Sequence, residues 1–155
     1  MVVAALVAVF FNLPDQGLAS GDFEYVKRVV DGDTLLLGTG ERVRLIGVDT
    51  PETKRPNSPV EYFGKEATAF TRRMVEGKRV KLKFDPANAH IKHRDRYGRT
   101  LAYVFLEDGT MLNAEIIRQG YGFAMTKYPF ARMEEFKRLE RDARAAKRGL
   151  WNNER

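Results

Sequence analysis

Four of the five carboxylates and both arginines of one short stretch, residues 30–54 with the sequence VDGDTLLLGTGERVRLIGVDTPETK, could meet in one site. They are Asp31, Asp33, Asp49, Glu52, Arg42 and Arg44. A group of carboxylates with no softer ligand nearby is suited to a hard divalent cation, and arginines beside it are suited to a phosphate. The stretch therefore indicates a site for a metal ion and a phosphate group.

A single β-hairpin could bring these side chains together. Leu35–Leu37 and Val43–Val48 have the apolar character of strands, and residues 38–40 (GTG) between them can adopt the left-handed backbone of a short turn. If the two strands pair antiparallel, the acidic residue that opens the first comes close to the acidic residues that end the second.

Each motif also has a purely structural explanation when it is considered separately. The DGD sequence at 31–33 could be only a bulge or turn, because Asp and Gly tolerate such backbone. The DTPE sequence at 49–52 could be only a turn or a capped helix start. The RYGR sequence at 96–99 could be a loop with solvated arginines. The combination of all three favours a functional site.

Composition limits the classes of site and partner. The chain has 155 residues, enough for one domain with its own core, and it contains no cysteine, which excludes disulfides and thiolate metal sites. Its two histidines, His90 and His93, lie in one polar segment, so no Cys/His zinc cluster is available. The net charge of +6 is consistent with binding of a polyanion and equally with ordinary solubility.

The first 20 residues differ in character from the rest of the chain. Residues 1–13 are almost entirely apolar, which predicts a signal peptide or an N-terminal hydrophobic anchor over 1–20 and a secreted or cell-envelope protein. No Lys or Arg precedes the apolar run, and a buried strand is the structural alternative. The folded domain is then expected over residues 21–155.

Apolar periodicity and turn residues predict a mainly β, α+β domain. The predicted strands are Phe23–Val30, Leu35–Leu37, Val43–Val48, Lys78–Phe84 and Arg99–Leu106. The predicted helices are Gly64–Glu76, Asn113–Gln119 and Arg132–Arg148, with a polar loop over Asp85–Arg96. Five strands with turns between the early ones favour an antiparallel five-stranded barrel of the oligonucleotide-binding (OB-fold) type with three packed helices.

Five sequence motifs, taken together, are highly specific. They are DGDT at 31–34, RLIGVDTPET at 44–53, VEYFGKEA at 60–67, YGRTLAY at 97–103 and IRQGYG at 117–122. With these motifs in this order and spacing, the chain resembles the staphylococcal nuclease (thermonuclease) family over roughly residues 23–151. The resemblance implies a calcium-dependent phosphodiesterase that hydrolyses DNA and RNA and leaves 3′-phosphate ends.

The resemblance also implies roles for the acidic residues. Asp33 and Asp49 match the family's calcium-binding carboxylates, and Thr50 matches a position whose backbone carbonyl also binds the ion. Glu52 matches a general base or water-orienting group. Asp31 matches a second acid next to the metal.

The substrate-binding residues follow from the same resemblance. Arg44 and Arg99 match the two arginines that hold the scissile phosphate, and Tyr97 matches a tyrosine of the nucleotide pocket. Tyr128 is the plausible match for an aromatic residue near the base. The implied substrate is single-stranded or locally opened DNA and RNA, bound by a monomer with no protein partner.

One departure and two alternatives accompany this interpretation. The loop between Phe84 and Asp95 is longer than in the family's prototype and carries both histidines, which leaves the base preference open. The first alternative is a non-catalytic OB-fold nucleic-acid-binding module. The second is an envelope protein in which calcium is only structural.

Overall fold

A computed structural model describes residues 22–54, 56–59 and 61–152. Its strands are β1 Glu24–Asp31, β2 Thr34–Leu37, β3 Arg42–Leu45, β4 Val48–Asp49, β5 Arg79–Lys83, β6 Thr100–Leu106 and β7 Phe123–Ala124. Its α-helices are α1 Gly64–Val75, α2 Leu112–Arg118 and α3 Met133–Ala145, and two 3₁₀ helices span Pro86–Ile91 and Gly149–Trp151. The signal or anchor predicted over residues 1–20 lies outside the described residues and stays a prediction. Within the described residues, no helix is long and apolar enough to span a bilayer.

The predicted five-stranded barrel with three helices is confirmed. The strands close in the order β1-β2-β3-β6-β5, and β4 pairs with β7 in a separate two-stranded sheet. Alternate strand residues such as Val26, Leu35 and Val43 are fully buried inside the barrel, as the period of two predicts. Phe136 of α3 is likewise buried, so the helix closes the core.

One strand pair runs in the direction that the sequence analysis did not predict. We expected an antiparallel barrel, but β3 pairs with β6 in parallel, with Val43 opposite Thr100 and Leu45 opposite Ala102. A parallel pair needs a long crossover connection. The chain supplies one in α1 and β5, which lie between the two strands in sequence.

The prediction of a single strand over Val43–Val48 is wrong. Strand β3 ends at Leu45 because Gly47 adopts a φ of +72° and turns the chain. A Cβ at Gly47 would also lie 2.6 Å from the ring of Phe130, so glycine is required there by both backbone and space. The chain then resumes as β4, which pairs with β7 and carries Asp49.

The predicted loop over Asp85–Arg96 contains the 3₁₀ helix Pro86–Ile91, which is held by a buried carboxylate. Asp85 is 1% exposed and accepts hydrogen bonds from the Tyr103 hydroxyl (2.5 Å), the Ala87 N–H (2.9 Å) and the Ala131 N–H (2.8 Å). Burial raises the pKa of Asp85, but these three donors outweigh it and hold the pKa below its ordinary value. Asp85 therefore joins the 3₁₀ helix to the barrel and to the start of α3.

Replacing Asp85 with alanine is expected to lower the free energy of unfolding by about 3 kcal/mol at pH 7, because three donors lose their acceptor. A carboxylate whose folded pKa is lowered stabilises the fold above its ordinary pKa and loses this effect as the pH falls. The deficit of Asp85→Ala should therefore shrink below about pH 4. Urea denaturation across pH measures it.

Asp142→Ala provides the matched control, since Asp142 lies on the exposed side of α3. We expect little change in stability for this variant at any pH. A deficit in Asp85→Ala that does not depend on pH would contradict the role given to the ionised carboxylate.

Candidate active site

The hairpin formed by β2 and β3 brings the first acidic group to the first arginine. The strands pair antiparallel, as predicted, with Thr34 opposite Arg44. The Leu45 N–H donates to the backbone carbonyl of Asp33 at 3.0 Å, which continues the pairing beyond the strand end. Asp33 therefore lies immediately before the start of β2, beside Arg44.

Asp33 and Asp49 converge on one nitrogen of Arg44. The Arg44 Nη2 atom lies 3.3 Å from Asp33 Oδ2 and 3.7 Å from Asp49 Oδ1. Asp33 is buried and also accepts hydrogen bonds from the Thr34 hydroxyl and the Thr50 N–H, each at 3.0 Å. The Asp49 side chain is about half exposed. The two predicted metal-binding carboxylates are thus neighbours, although they come from different sheets.

The electrostatics of this pair fit a divalent cation. Partial burial and then repulsion by Asp33 raise the pKa of Asp49, and the charge of Arg44 offsets only part of this. A bound cation would remove the repulsion. The Thr50 hydroxyl is buried and has no hydrogen-bond partner among the described residues, so a polar atom beside the pair is left unsatisfied.

The donor set is small. Among the described residues, no group of three or more His, Asp or Glu side chains is placed to hold a metal ion. Asp33 and Asp49, which both contact Arg44, are the side-chain donors that the sequence analysis predicted, with the Thr50 carbonyl as the predicted backbone donor. Calcium accepts six to eight oxygens, including carbonyls and waters, and the oxygen-only set fits it with the remaining positions filled by water or substrate.

Asp31 and Glu52 form a second carboxyl pair beside the first. Asp31 is buried and accepts hydrogen bonds from the Gly32 N–H and from the hydroxyls of Thr53 (3.0 Å) and Thr68 (3.2 Å). Burial and a hydrogen bond with Glu52 raise the pKa of Asp31 to about 6, and repulsion by nearby carboxylates adds to this. Asp31 is therefore placed to orient the Glu52 carboxyl group.

Glu52 is held on the loop that leads into α1. Its backbone N–H donates to Glu61 Oε2 at 2.8 Å, and the Glu61 N–H donates to the Glu52 carbonyl at 3.0 Å. The Lys54 N–H donates to Glu52 Oε1 at 3.1 Å. The hydrogen bonds between Glu52 and Glu61 therefore hold Glu52, the predicted general base, near the other carboxylates although it lies in a loop.

Arg44 also supports the turn that follows its strand. Its Nη1 donates to the carbonyls of Leu45 (2.8 Å) and Val48 (2.6 Å). The guanidinium therefore bridges the turn between β3 and β4 through Nη1, while its Nη2 atom faces the carboxylates. The position of Asp49 depends on this turn. Arg44 therefore stabilises the structure of the site and also supplies a positive charge to it.

Arg99 lies just before β6 and is oriented by Asp95. The Arg99 Nε atom is 2.7 Å from Asp95 Oδ2, and the backbone N–H of Arg99 donates to Asp95 Oδ1 at 3.0 Å. The guanidinium carbon lies 5.2 Å from the centre of the Tyr97 ring. Guanidinium carries five N–H groups, so an ion pair through Nε is compatible with phosphate binding by the others.

One groove of about 470 Å³ contains both arginines and both predicted tyrosines. We call it the arginine groove, and its lining includes Arg44, Arg99, Tyr97 and Tyr128. Both tyrosines are well exposed, at 67% and 63%. Asp33 and Asp49 adjoin the groove through their contacts with Arg44. The structure therefore brings all the predicted side chains to one connected region.

Several residues of this region were missed by the sequence analysis. Asp95 stands four positions before Arg99, a spacing that could have indicated the ion pair. Thr68 and Thr71 are polar residues on the buried face of α1, and the Thr71 hydroxyl donates to the Gly32 carbonyl at 2.6 Å. That unusual burial pattern could have indicated support for the acidic loop. Of the residues of Pro86–Ile91 that line the groove, the sequence analysis named only His90, and the others had no such local signal.

Comparison with known proteins agrees with this geometry. Residues 42–153 match the family described as staphylococcal nuclease homologue. The chain belongs to the staphylococcal nuclease family. The thermonuclease of Staphylococcus hyicus is 35% identical, with 99% of this chain and 95% of the relative covered. On this basis the chain is a nuclease and therefore a hydrolase.

Other relatives match over shorter ranges. The thermonuclease of Staphylococcus intermedius is 48% identical over 64% of this chain and 58% of its own length. Endonuclease YncB of Bacillus subtilis (strain 168) is 35% identical over 81% of this chain and 59% of its own length. This nuclease therefore spans a little over half of these two relatives.

Proposed function

We propose that this nuclease is a calcium-dependent phosphodiesterase that hydrolyses single-stranded or locally opened DNA and RNA and leaves 3′-phosphate ends. The observation that carries the proposal is the position of Arg44. One of its nitrogens faces two carboxylates that fit a divalent cation, and the same side chain lines a groove that also contains Arg99. A phosphodiester in that groove would meet both arginines beside the metal site.

Phosphodiester hydrolysis requires charge stabilisation at the phosphorus. The substrate's negative charge repels the nucleophile, and the transition state carries still more charge on its oxygens. A bound calcium ion would supply positive charge against a phosphate oxygen. Asp33 and Asp49 would hold that ion, with the Thr50 carbonyl as a further ligand.

The side chains of the site can supply the remaining functions. Arg44 and Arg99 would donate hydrogen bonds to phosphate oxygens, and neither can lose its charge at working pH. Glu52, held beside Asp31, would orient the attacking water or take its proton. These roles are supported by Arg44 and Arg99 in the lining of the arginine groove and by the contacts of Asp33 and Asp49 with Arg44.

The exposed surface of the groove favours a substrate strand whose bases are unpaired. The exposed rings of Tyr97 and Tyr128 can stack on bases that are not paired, and stacking is largely independent of sequence. The net charge of +6 would assist binding of the backbone. A duplex would first have to open locally to place its bases against these rings.

A non-catalytic binding module is the second candidate. The same exposed tyrosines and arginines would favour it. It does not by itself require a pair of repelling carboxylates or the hydrogen bond between Asp31 and Glu52. The acidic cluster would only weaken the binding of a polyanion, so we favour the enzyme.

Glu52→Gln is expected to reduce turnover by about 100-fold or more, because glutamine cannot accept the proton of the attacking water. Binding of calcium and of single-stranded DNA should stay close to that of the parent. Single-turnover cleavage of a labelled oligonucleotide, with calcium or with a chelator, measures the first effect. Equilibrium titration without turnover measures the second.

Glu66→Gln is the matched control, because Glu66 is an exposed acid in the first turn of α1. It should cleave at the parent rate. If Glu52→Gln cleaves as fast as Glu66→Gln and with the same pH–rate profile, Glu52 does not activate water. If the parent does not cleave with calcium, the proposed function itself is wrong.

A further inference from the structure

We infer that the 3₁₀ helix Pro86–Ile91 forms a base-recognition wall of the arginine groove, on which Asn88, His90 and Ile91 determine the preferred nucleobase beside the scissile phosphate. This inference rests on the proposed function. It assigns a role to the long loop that carries the histidines.

Pro86–Ile91 shares one cavity with the phosphate-binding arginines. Asn88, His90 and Ile91 line the same groove of about 470 Å³ as Arg44 and Arg99. A nucleotide whose phosphate is held by these arginines has its base connected through one sugar. The base therefore lies within one sugar's length of that phosphate, and the groove lining, including Pro86–Ile91, is within its reach.

The chemistry of the wall is suited to a base. Ile91 is an aliphatic side chain that is 42% exposed, and it lines a groove with two exposed tyrosine rings. Single exposed apolar residues are normal on a protein surface, but three around one cavity indicate an apolar ligand face. Asn88 has an amide that can both donate and accept, and the imidazole of His90 can do the same. The wall thus offers an apolar surface for a base's flat face and polar groups for its edge.

The wall is held firmly enough to discriminate between bases. Asp85 caps the start of Pro86–Ile91, and its other oxygen accepts from Tyr103 and Ala131. The His93 N–H closes the far end on the Asn88 carbonyl at 2.9 Å. A preorganised wall loses little entropy when a ligand binds, and a fixed hydrogen-bonding group rejects a base that leaves it unpaired.

Affinity for small ligands separates base recognition from phosphate binding. The probes are the four nucleoside 3′,5′-bisphosphates and an abasic deoxyribose 3′,5′-bisphosphate, titrated into the full chain with calcium. Ile91→Ala should weaken the binding of the nucleoside bisphosphates by about 5-fold or more, the effect of losing one contact with the base. The affinity for the abasic ligand should change by less than about 2-fold. Asn88→Ala and His90→Ala should change the ratio between the best and worst base by about 10-fold.

Ala89→Ser is the control, since Ala89 lies in the same 3₁₀ helix but does not line the groove. It should leave all five affinities unchanged. Oligonucleotides that differ only in the base beside the cleaved phosphate then test whether the same variants shift the preference in kcat/KM.

The outcomes distinguish this inference from the proposed function. The inference would be overturned if Ile91→Ala lost as much affinity for the abasic ligand as for the nucleoside bisphosphates. It would also be overturned if the ratios of affinity between the four bases were unchanged in all three variants. Base-dependent binding by a parent that does not cleave would support the inference and refute the phosphodiesterase. A parent that binds none of the five ligands would overturn both.

Discussion

Asp33→Asn is expected to reduce calcium-supported cleavage by about 1,000-fold or more, because it removes a carboxylate that we propose as a ligand of the calcium ion. Asp33 is the better of the two carboxylates to replace, since it is buried and its contacts define the site. Calcium affinity by calorimetry should fall in parallel with single-turnover rate. Treatment of the parent with a chelator should have the same effect, and added calcium should restore only the parent.

The fold should survive this change without metal. Asp33 raises the pKa of Asp49 by repulsion, so removing its charge relieves an unfavourable interaction in the metal-free protein. Because the same change weakens the ion pair with Arg44 and the acceptor of the Thr50 N–H, we expect the metal-free Asp33→Asn variant to stay folded and to lose at most about 2 kcal/mol of stability to urea. Asp108→Asn, in an exposed turn, is the control for a lost carboxylate. Cleavage that persists at full rate in chelator would refute the calcium mechanism.

Arg99→Lys is expected to reduce single-turnover cleavage by about 100-fold, the effect of one lost transition-state donor. Lysine keeps the positive charge and can keep an ion pair with Asp95, but it cannot offer the planar fork that fits two phosphate oxygens. Affinity for single-stranded DNA should stay within a few-fold of the parent. The dependence of affinity on salt should also be preserved, because the same number of phosphates is neutralised.

Arg44→Lys should differ from Arg99→Lys in a way that the structure predicts. Arg44 also donates to the carbonyls of Leu45 and Val48, so its replacement should lower the free energy of unfolding by about 1–2 kcal/mol as well as slow turnover. Arg141→Lys, exposed on α3, is the control for both measurements. Equal, small losses of affinity and turnover would mean that these arginines merely hold the strand, which would favour the binding module.

Local sequence was sufficient for much of the fold. The alternation in β1 and β6 and the spacing in α3 depend on residues that lie close together in the chain, and these elements occur where the periodicity predicted them. The β2–β3 hairpin was predictable for the same reason, since the GTG turn joins its strands directly. Its register places Asp33 beside Arg44.

The roles of the site residues were assigned from the resemblance of the motifs to the family. Their positions next to one another depend on pairing between strands that are far apart in sequence. The parallel β3–β6 pair places Arg44 opposite Leu101 and so carries Arg99, just before β6, toward the first arginine. Asp49 reaches the site because Gly47 breaks the strand and β4 pairs with β7. Neither pairing has a local signature, because strand periodicity shows which face of a strand is buried but not which distant strand lies beside it.

The wall formed by Pro86–Ile91 shows the same limit most clearly. The sequence by itself determined that this segment is polar and carries both histidines. Only the tertiary structure decided that it faces the arginine groove, because its position depends on Asp85 bonding to Tyr103 of β6 and to Ala131 before α3. These partners lie 18 and 46 residues from Asp85 in the chain, so no local sequence pattern encodes their hydrogen bonds.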